Sequence, residues 1–202
     1  MSTTTATIIL AAGAGRRLGT RSKALLRVGS GAEPLGIRAV RAGLAAGTSP
    51  VLVLGSEAQQ VEEELRRAEP ELMGRSHVVA AEQWEAGLSA SFRAGVKAAH
   101  DAGFARCAVL LVDQPGIDEQ ALAAVLGEHE PGRITRGCVE WRPGHPVVFD
   151  IEDALAAAAL ASADEGARSY LTAHAGRVDL VDITDLADDT DLDTAEDLAS
   201  FS

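Results

Sequence analysis

Between Ile8 and Lys23 the chain reads IILAAGAGRRLGTRSK: an apolar run, glycines at 13, 15 and 19, then Arg16, Arg17, Arg21 and Lys23 with no acid among them. Glycine bares the backbone N–H because no Cβ stands in the way, and it tolerates positive φ. Bare amides after a buried strand, with cations following, are chemistry for a polyphosphate. Gly13-x-Gly15-x-x-x-Gly19 also resembles a degenerate dinucleotide fingerprint, a weak signal by itself. The cations that follow, in place of an amphipathic helix, count against a nicotinamide dinucleotide. G-x-x-x-x-G-K-[ST] is absent, so the loop is not a Walker A loop. Lys23 is placed to meet phosphate oxygens as a point charge.

A second group is Asp113-Gln114-Pro115, directly after the apolar run CAVLLV. A carboxylate at the end of a buried strand is costly unless it is hydrated, paired or bound to a cation. Mg²⁺ suits it, taking one or two protein oxygens and otherwise water and phosphate; the alternative is a turn or capping aspartate for a helix beginning near Asp118. A third group, Asp191 and Asp193, lies in an acidic tail, where the two serve as cation ligands, as solvated charges or as caps of a last helix.

Positioning these groups requires strands that end at one edge. Thr7–Ala12, Pro50–Leu54, His77–Ala81 and Cys107–Val112 read as buried strands, the last the most apolar and therefore central. Between them, Ile37, Val40 and Leu44 mark a helix over 34–46, Val61 and Leu65 one over 57–68, and Leu88, Phe92, Val96 and Ala99 one beginning near Gly87. Leu122, Val125 and Leu126 mark the helix after the fourth strand. This alternation predicts parallel pairing with helices on both faces, and in such sheets ligands sit outside the carboxyl ends of the strands. Arg133–Trp141, a turn at Arg142-Pro143-Gly144 and His145–Phe149 read as a hairpin that adds an antiparallel element. Helices over 151–160 and 165–173, a strand over 177–183 and a helix over 190–199 complete the expectation: a three-layer α/β fold on a mostly parallel, Rossmann-like sheet, one domain over 1–202.

Composition narrows the function classes. The chain has 202 residues and a net charge of −12, which argues against a general nucleic-acid surface. The charge is uneven: residues 16–27 carry five bases and no acid, and residues 178–202 nine acids and no base. A basic island in an acidic chain marks a local anion site. The two cysteines, Cys107 and Cys138, form no C-x-x-C and point to neither a disulfide framework nor a zinc site. No signal-like segment or membrane-length apolar run is present, so the sequence reads as cytoplasmic and not membrane-bound.

Six segments in order carry a resemblance. LAAGAGRRLGTRSKALL (10–26), EQWEAGLSASFRAGV (82–96), Asp113-Gln114-Pro115, Gly144-His145-Pro146, Asp164-Glu165-Gly166-Ala167-Arg168 and DLDTAEDL (191–198) are similar to motifs of the MobA-like nucleotidyltransferases, most closely the molybdenum cofactor cytidylyltransferase branch. Two departures stand out: Ala163 replaces a family glycine, and Ala195 a family proline. The resemblance implies a nucleotide-diphospho-sugar transferase-like fold and Mg²⁺-dependent nucleotidyl transfer, in which a phosphorylated acceptor attacks the α-phosphate of an NTP and pyrophosphate leaves. It implies Arg17, Lys23 and Asp113 as catalytic groups. It implies Ala11, Ala12, Gly13, Ala14, Gly15, Arg17, Lys23, Gly87, Ser89 and Ser91 at the nucleotide, and Asp113 with Asp193 (Asp191 the alternative) at the metal.

His145 and Arg168 then fall to the acceptor, with turn geometry and pairing to an acid as their plainer uses. Ser89 reads equally well as a helix N-cap, and Trp84 as a packing residue. Leu10-Ala11-Ala12-Gly13, where the guanylyl branch has Leu-Ala-Gly-Gly, favours CTP over GTP, and a Cβ at Ala12 offers a physical reason by crowding a larger base. The implied partners are a nucleoside triphosphate, a pterin-type phosphorylated acceptor and a molybdoenzyme maturation protein. The competing readings are a guanylyltransferase, a sugar-phosphate nucleotidyltransferase, a non-catalytic cofactor-binding or insertion partner, and an NAD(P) oxidoreductase.

Overall fold

The structure, a computed structural model, describes residues 4–15, 18–19, 22–28 and 33–201. In chain order its strands are β1 (Thr5–Ala11), β2 (Arg27–Val28), β3 (Glu33–Pro34), β4 (Ser49–Leu54), β5 (His77–Ala80), β6 (Arg106–Leu111), β7 (Ile134–Val139), β8 (Arg142–Asp150) and β9 (Val178–Asp182). Its α-helices are α1 (Leu35–Ala45), α2 (Ala58–Ala68), α3 (Pro70–Gly74), α4 (Leu88–Asp101), α5 (Glu119–Gly127), α6 (Ile151–Leu160), α7 (Arg168–Ala173) and α8 (Ala195–Ser200).

Seven strands form one sheet in the order β5-β4-β1-β6-β8-β7-β9, and β2 and β3 form a separate small hairpin. Every neighbouring pair in the large sheet is parallel except those of β8, which runs antiparallel to both β6 and β7. The sheet is therefore the mostly parallel one expected, with β6 fourth of seven. Period-two alternation distributes the side chains. Ile8, Leu10, Val109, Val147 and Phe149 join Phe92, Val96 and Ala99 of α4 and the alanines of α6 in one core layer. Ile9, Leu52 and Leu54 pack with α1, α2 and α3 on the other face, and Ala108, Leu110 and Val148 with α5. A sheet covered on both faces needs strands apolar throughout, which is what these runs supply.

Gly95 lets α4 lie close to the sheet: a Cβ there would stand 2.4 Å from Ile8 Cγ2 and 2.9 Å from Val53 Cγ2. Gly95→Ala gains helix propensity but overpacks a filled layer, and is expected to cost about 1–3 kcal/mol net, read as a lowered midpoint in urea.

Three expected boundaries are corrected. The hairpin turn lies at Glu140-Trp141, not at Arg142-Pro143-Gly144. Both turn residues take positive φ (49° and 63°), and Trp141 is 74% exposed. Pro143 and Gly144 instead lie within β8 at an irregular stretch of ladder, where Arg136 pairs with Val147 but Cys138 pairs with Pro143, a place that tolerates proline. The last helix begins at Ala195, not Thr190. Thr194 is its N-cap, its side chain accepting from the Asp197 N–H while the Asp197 carboxylate accepts from the Asp193 and Thr194 N–H groups. This capping box fixes the start and leaves 188–193 as a strap. α7 likewise starts at Arg168, not Glu165, and α3 has no counterpart in the sequence reading.

Candidate active site

The glycine loop leaves the end of β1 and turns back on itself. Gly15 takes φ +52° and Gly19 φ +67°, Gly15 O accepts from Leu18 N–H at 2.9 Å, and Gly13 O from Lys23 N–H at 3.3 Å. Ser22 then caps a short 3₁₀ turn, Lys23–Leu25, its hydroxyl accepting from Ala24 N–H. The buried side chain of Ala24 pins that turn to the core, so Lys23 is presented from a fixed backbone.

Asp113 follows β6, and Asp118, not Asp113, caps α5, its side chain accepting from the Gln120 and Ala121 N–H groups. The capping alternative for Asp113 thus falls away. The acidic strap reaches Asp113 through backbone: Leu192 donates its N–H to Asp113 O at 2.9 Å, and Asp188 bridges to Gly116. Leu192 is fully buried and anchors the strap between its two acids. Gly116 is required there, since a Cβ would meet Asp188 O at 2.3 Å.

These elements deliver one ammonium to two carboxylates. Lys23 Nζ donates to Asp113 Oδ2 at 2.6 Å and to Asp193 Oδ1 at 2.5 Å. Burial pulls the Lys23 pKa down, but the two carboxylates outweigh it and hold the ammonium above its ordinary range. Asp191 is turned elsewhere: its Oδ1 accepts from Gln114 Nε2 at 2.9 Å. Burial, then the neighbouring Asp113 charge, raise its pKa. Among the described residues no group of three or more His, Cys, Asp or Glu side chains converges as a metal cage. Two carboxylates sharing one cation is nevertheless the donor set that Mg²⁺ or Mn²⁺ uses when phosphate oxygens complete the shell.

Beside this cluster lies a groove of about 590 Å³ lined by Gly13, Ala14, Gly15, Lys23, Trp84 and Asp193, among others. Not all of the expected nucleotide residues face it. Ala11 and Ala12 are buried behind it, and Ala12 packs against Gly55, where an added Cβ would meet Ala12 Cβ and Trp84 Cβ at 2.7 Å each. Ala12 is 6% exposed and is not among the residues that line the groove. Ser89 and Ser91 are 1% and 3% exposed and line neither cavity of the site, nor does Gly87, the residue before α4. Arg17, with Arg16 and Arg21, lies outside the described residues.

Asp164 is a site residue that its motif contained but that the sequence reading gave no role. Its Oδ1 accepts from the Leu88 N–H, and Ala163 O from the Ser89 N–H, so the 163–164 segment caps the N-terminus of α4. Gly87, at φ +101°, leaves room for it. Asp164 also lines both the groove and a second cavity of about 510 Å³, which holds His145, Arg168 and Arg136.

His145 is neutral there: desolvation, then the nearby Arg136 charge, lower its pKa from an ordinary 6.5 to about 4. Between those values the unfolded chain holds a proton on this residue that the native state does not, so stability falls as pH drops through that window. The contribution reaches at most about 3 kcal/mol. Thermal melts are expected to show His145→Asn losing less stability than the unsubstituted protein between pH 7.5 and pH 5.

The fold is that of nucleotidyltransferases. It superposes on a nucleotidyl transferase from Methanothermobacter thermautotroptrophicus with a TM-score of 0.76, at 20% identity, over 96% of this chain and 94% of that one. Residues 7–178 match the MobA-like NTP transferase domain, and the chain belongs to that family. It is 36% identical over 199 residues, 95% of this chain and 93% of the other, to the nicotine blue oxidoreductase of Paenarthrobacter nicotinovorans. It is also similar to Rv0371c of Mycobacterium tuberculosis H37Rv, whose structure in complex with manganese gives a TM-score of 0.71 at 25% identity, over 98% of this chain and all of that one. No helix among the described residues is long and apolar enough to cross a membrane.

Proposed function

We propose that the protein transfers a nucleotidyl group, CMP from CTP by the resemblance at Leu10–Gly13, to a phosphorylated acceptor of the pterin type. The observation that carries this is the Lys23 ammonium held between Asp113 and Asp193 beside the open glycine loop. An acceptor phosphate oxygen forms a bond to the α-phosphorus, the bond from that phosphorus to the oxygen bridging to the β-phosphate breaks, and pyrophosphate leaves with the electron pair. Such a displacement asks the protein for alignment and charge neutralisation. The amides of Gly13–Gly15 and the Lys23 ammonium are placed to hold the triphosphate and meet the charge that grows on the leaving pyrophosphate. Asp113 and Asp193 would hold a divalent cation, which would supply charge neutralisation at the phosphates. Lys23 would then exchange its carboxylate partners for phosphate oxygens.

A matrix of NTPs against phosphorylated acceptors, with and without Mg²⁺ or Mn²⁺, tests the reading by pyrophosphate release. The expected result is release that needs cation, acceptor and CTP; none with any pairing would overturn it. The relationship to a protein named as an oxidoreductase favours a second reading, in which the loop amides hold the pyrophosphate of a nicotinamide dinucleotide. NADPH fluorescence separates the two, because binding or consumption of NADPH, with no NTP turnover, would replace the first reading by the second.

A further inference from the structure

The second cavity is built for a charge that no protein group answers. Its floor is one face of the sheet, from Leu10 and Val109 across Val147 and Phe149 to Val178. Into this apolar floor β7 places Arg136, the one basic residue in the run ITRGCV. The ladder is irregular beside it: two steps along β7, from 136 to 138, face four along β8, from 147 to 143, so Gly144–Pro146 fall outside the regular pairing. Gly144 O then accepts from both Nε and Nη2 of Arg136, each at 3.2 Å. Among the described residues Nη1 has no acceptor and no carboxylate pairs with this guanidinium.

Arg168, exposed at the cavity rim, adds a second positive charge, and His145 is neutral; the two carboxylates of the lining are engaged elsewhere, Asp164 accepting from the Leu88 N–H and Glu165 from the Ser169 hydroxyl. A half-buried, oriented and unpaired guanidinium over an apolar floor carries a desolvation cost that an anionic ligand offsets. β7 stands two places from β6, at whose end Asp113 lies, roughly 10 Å across the sheet. Arg136 lines only this cavity and not the groove with Lys23.

We infer that this cavity takes a planar ring bearing an anionic group that seats on Arg136, and that this anion is distinct from the phosphate that reacts. The ring lies on the partly exposed apolar residues Leu171, Val178 and Leu180, and the anion (carboxylate, phosphate or sulfonate) takes Nη1 with Nη2. That the ligand is the acceptor rests on the nucleotidyl-transfer reading; the cavity's preference for a ring with an anion does not.

The test uses 8-anilinonaphthalene-1-sulfonate and its uncharged counterpart N-phenyl-1-naphthylamine as fluorescent probes, with neither nucleotide nor metal present. One equivalent of the sulfonate is expected to bind at least tenfold more tightly than the uncharged ring. Arg136→Gln is expected to abolish that difference while keeping the uncharged probe, and Arg136→Lys to restore part of it. Arg67→Gln, on the exposed side of α2, should change neither. On the unsubstituted protein, benzenesulfonate should displace the probe and benzenesulfonamide should not, which keeps the test decisive if Arg136→Gln fails to fold. CTP with Mg²⁺ should leave the probe bound. Equal affinity for the two probes, an unchanged preference in a folded Arg136→Gln, or displacement by CTP would each overturn the inference. Because no turnover is measured, failure here is separate from failure of the transferase reading.

Discussion

Lys23→Ala is expected to slow pyrophosphate release by about 10²–10³-fold or more and, in the opposite direction, to tighten Mn²⁺ binding in the absence of nucleotide. The first effect follows from the loss of a cation beside the triphosphate loop. The second follows from the geometry of the pair. Lys23 Nζ lies 2.6 Å from Asp113 and 2.5 Å from Asp193, its side chain only 16% exposed. While the ammonium is there it neutralises the carboxylates that a divalent cation needs. Without it, two carboxylates face each other with no counter-charge, and that repulsion is relieved by any cation of suitable size. The melting temperature of Lys23→Ala should accordingly fall without metal and recover as Mn²⁺ is added. Electron paramagnetic resonance of free Mn²⁺ reads the affinity directly. Mn²⁺ binding equal to or weaker than that of the unsubstituted protein would show that Lys23 does not compete for this site.

How much of this was legible in the sequence depends on whether a feature is local. The strands were readable because a sheet covered on both faces needs unbroken apolar runs, and IILA, VLVL and AVLL have no other plausible use. Lys23 was readable because glycines and a serine cap fix its backbone within ten residues. Asp113 stood out because a carboxylate that ends such a run has to be accounted for. Long-range pairing was not readable. Nothing in DLDTAEDL distinguishes Asp193 from Asp191; the choice is made by Gln114, which holds Asp191, and by the buried Leu192 docked on Asp113 O. Ser89 and Ser91 were singled out by chemical type, which does not report facing: Leu88 and Phe92, four apart, line the second cavity, and the serines between them are buried. The hairpin turn was misplaced because Pro143-Gly144 is the stronger local signal, whereas pairing across the sheet puts it inside β8. Arg136 did leave a trace, a cation inside an apolar strand, but its meaning required knowing that no acid lies opposite.

Asp113→Asn is expected to abolish measurable turnover, by 10³-fold or more, and with it the nucleotide-linked binding of Mn²⁺, while the protein stays folded. The amide keeps the shape of the carboxylate and one oxygen for Lys23, and the backbone contact of Leu192 to Asp113 O does not involve the side chain at all. What disappears is the negative charge that β6 delivers at its end, and among the described residues no neighbour is placed to supply it. Asp193 is already engaged with Lys23, and its side chain is 50% exposed, so alone it binds a cation weakly in competition with water. Asp191 is held by Gln114, and the Asp113 charge is one of the causes that raise its pKa. With Asp113 neutral, that pKa should relax downward without Asp191 leaving its partner. Asp191→Asn is therefore expected to retain turnover within about tenfold, the contrast that makes the Asp113 result specific. Steady-state pyrophosphate release and Mn²⁺ titration on both variants read the difference. If Asp113→Asn kept both, the cation would have to be held by other groups, and the pairing of Lys23 with the two carboxylates would be structural alone.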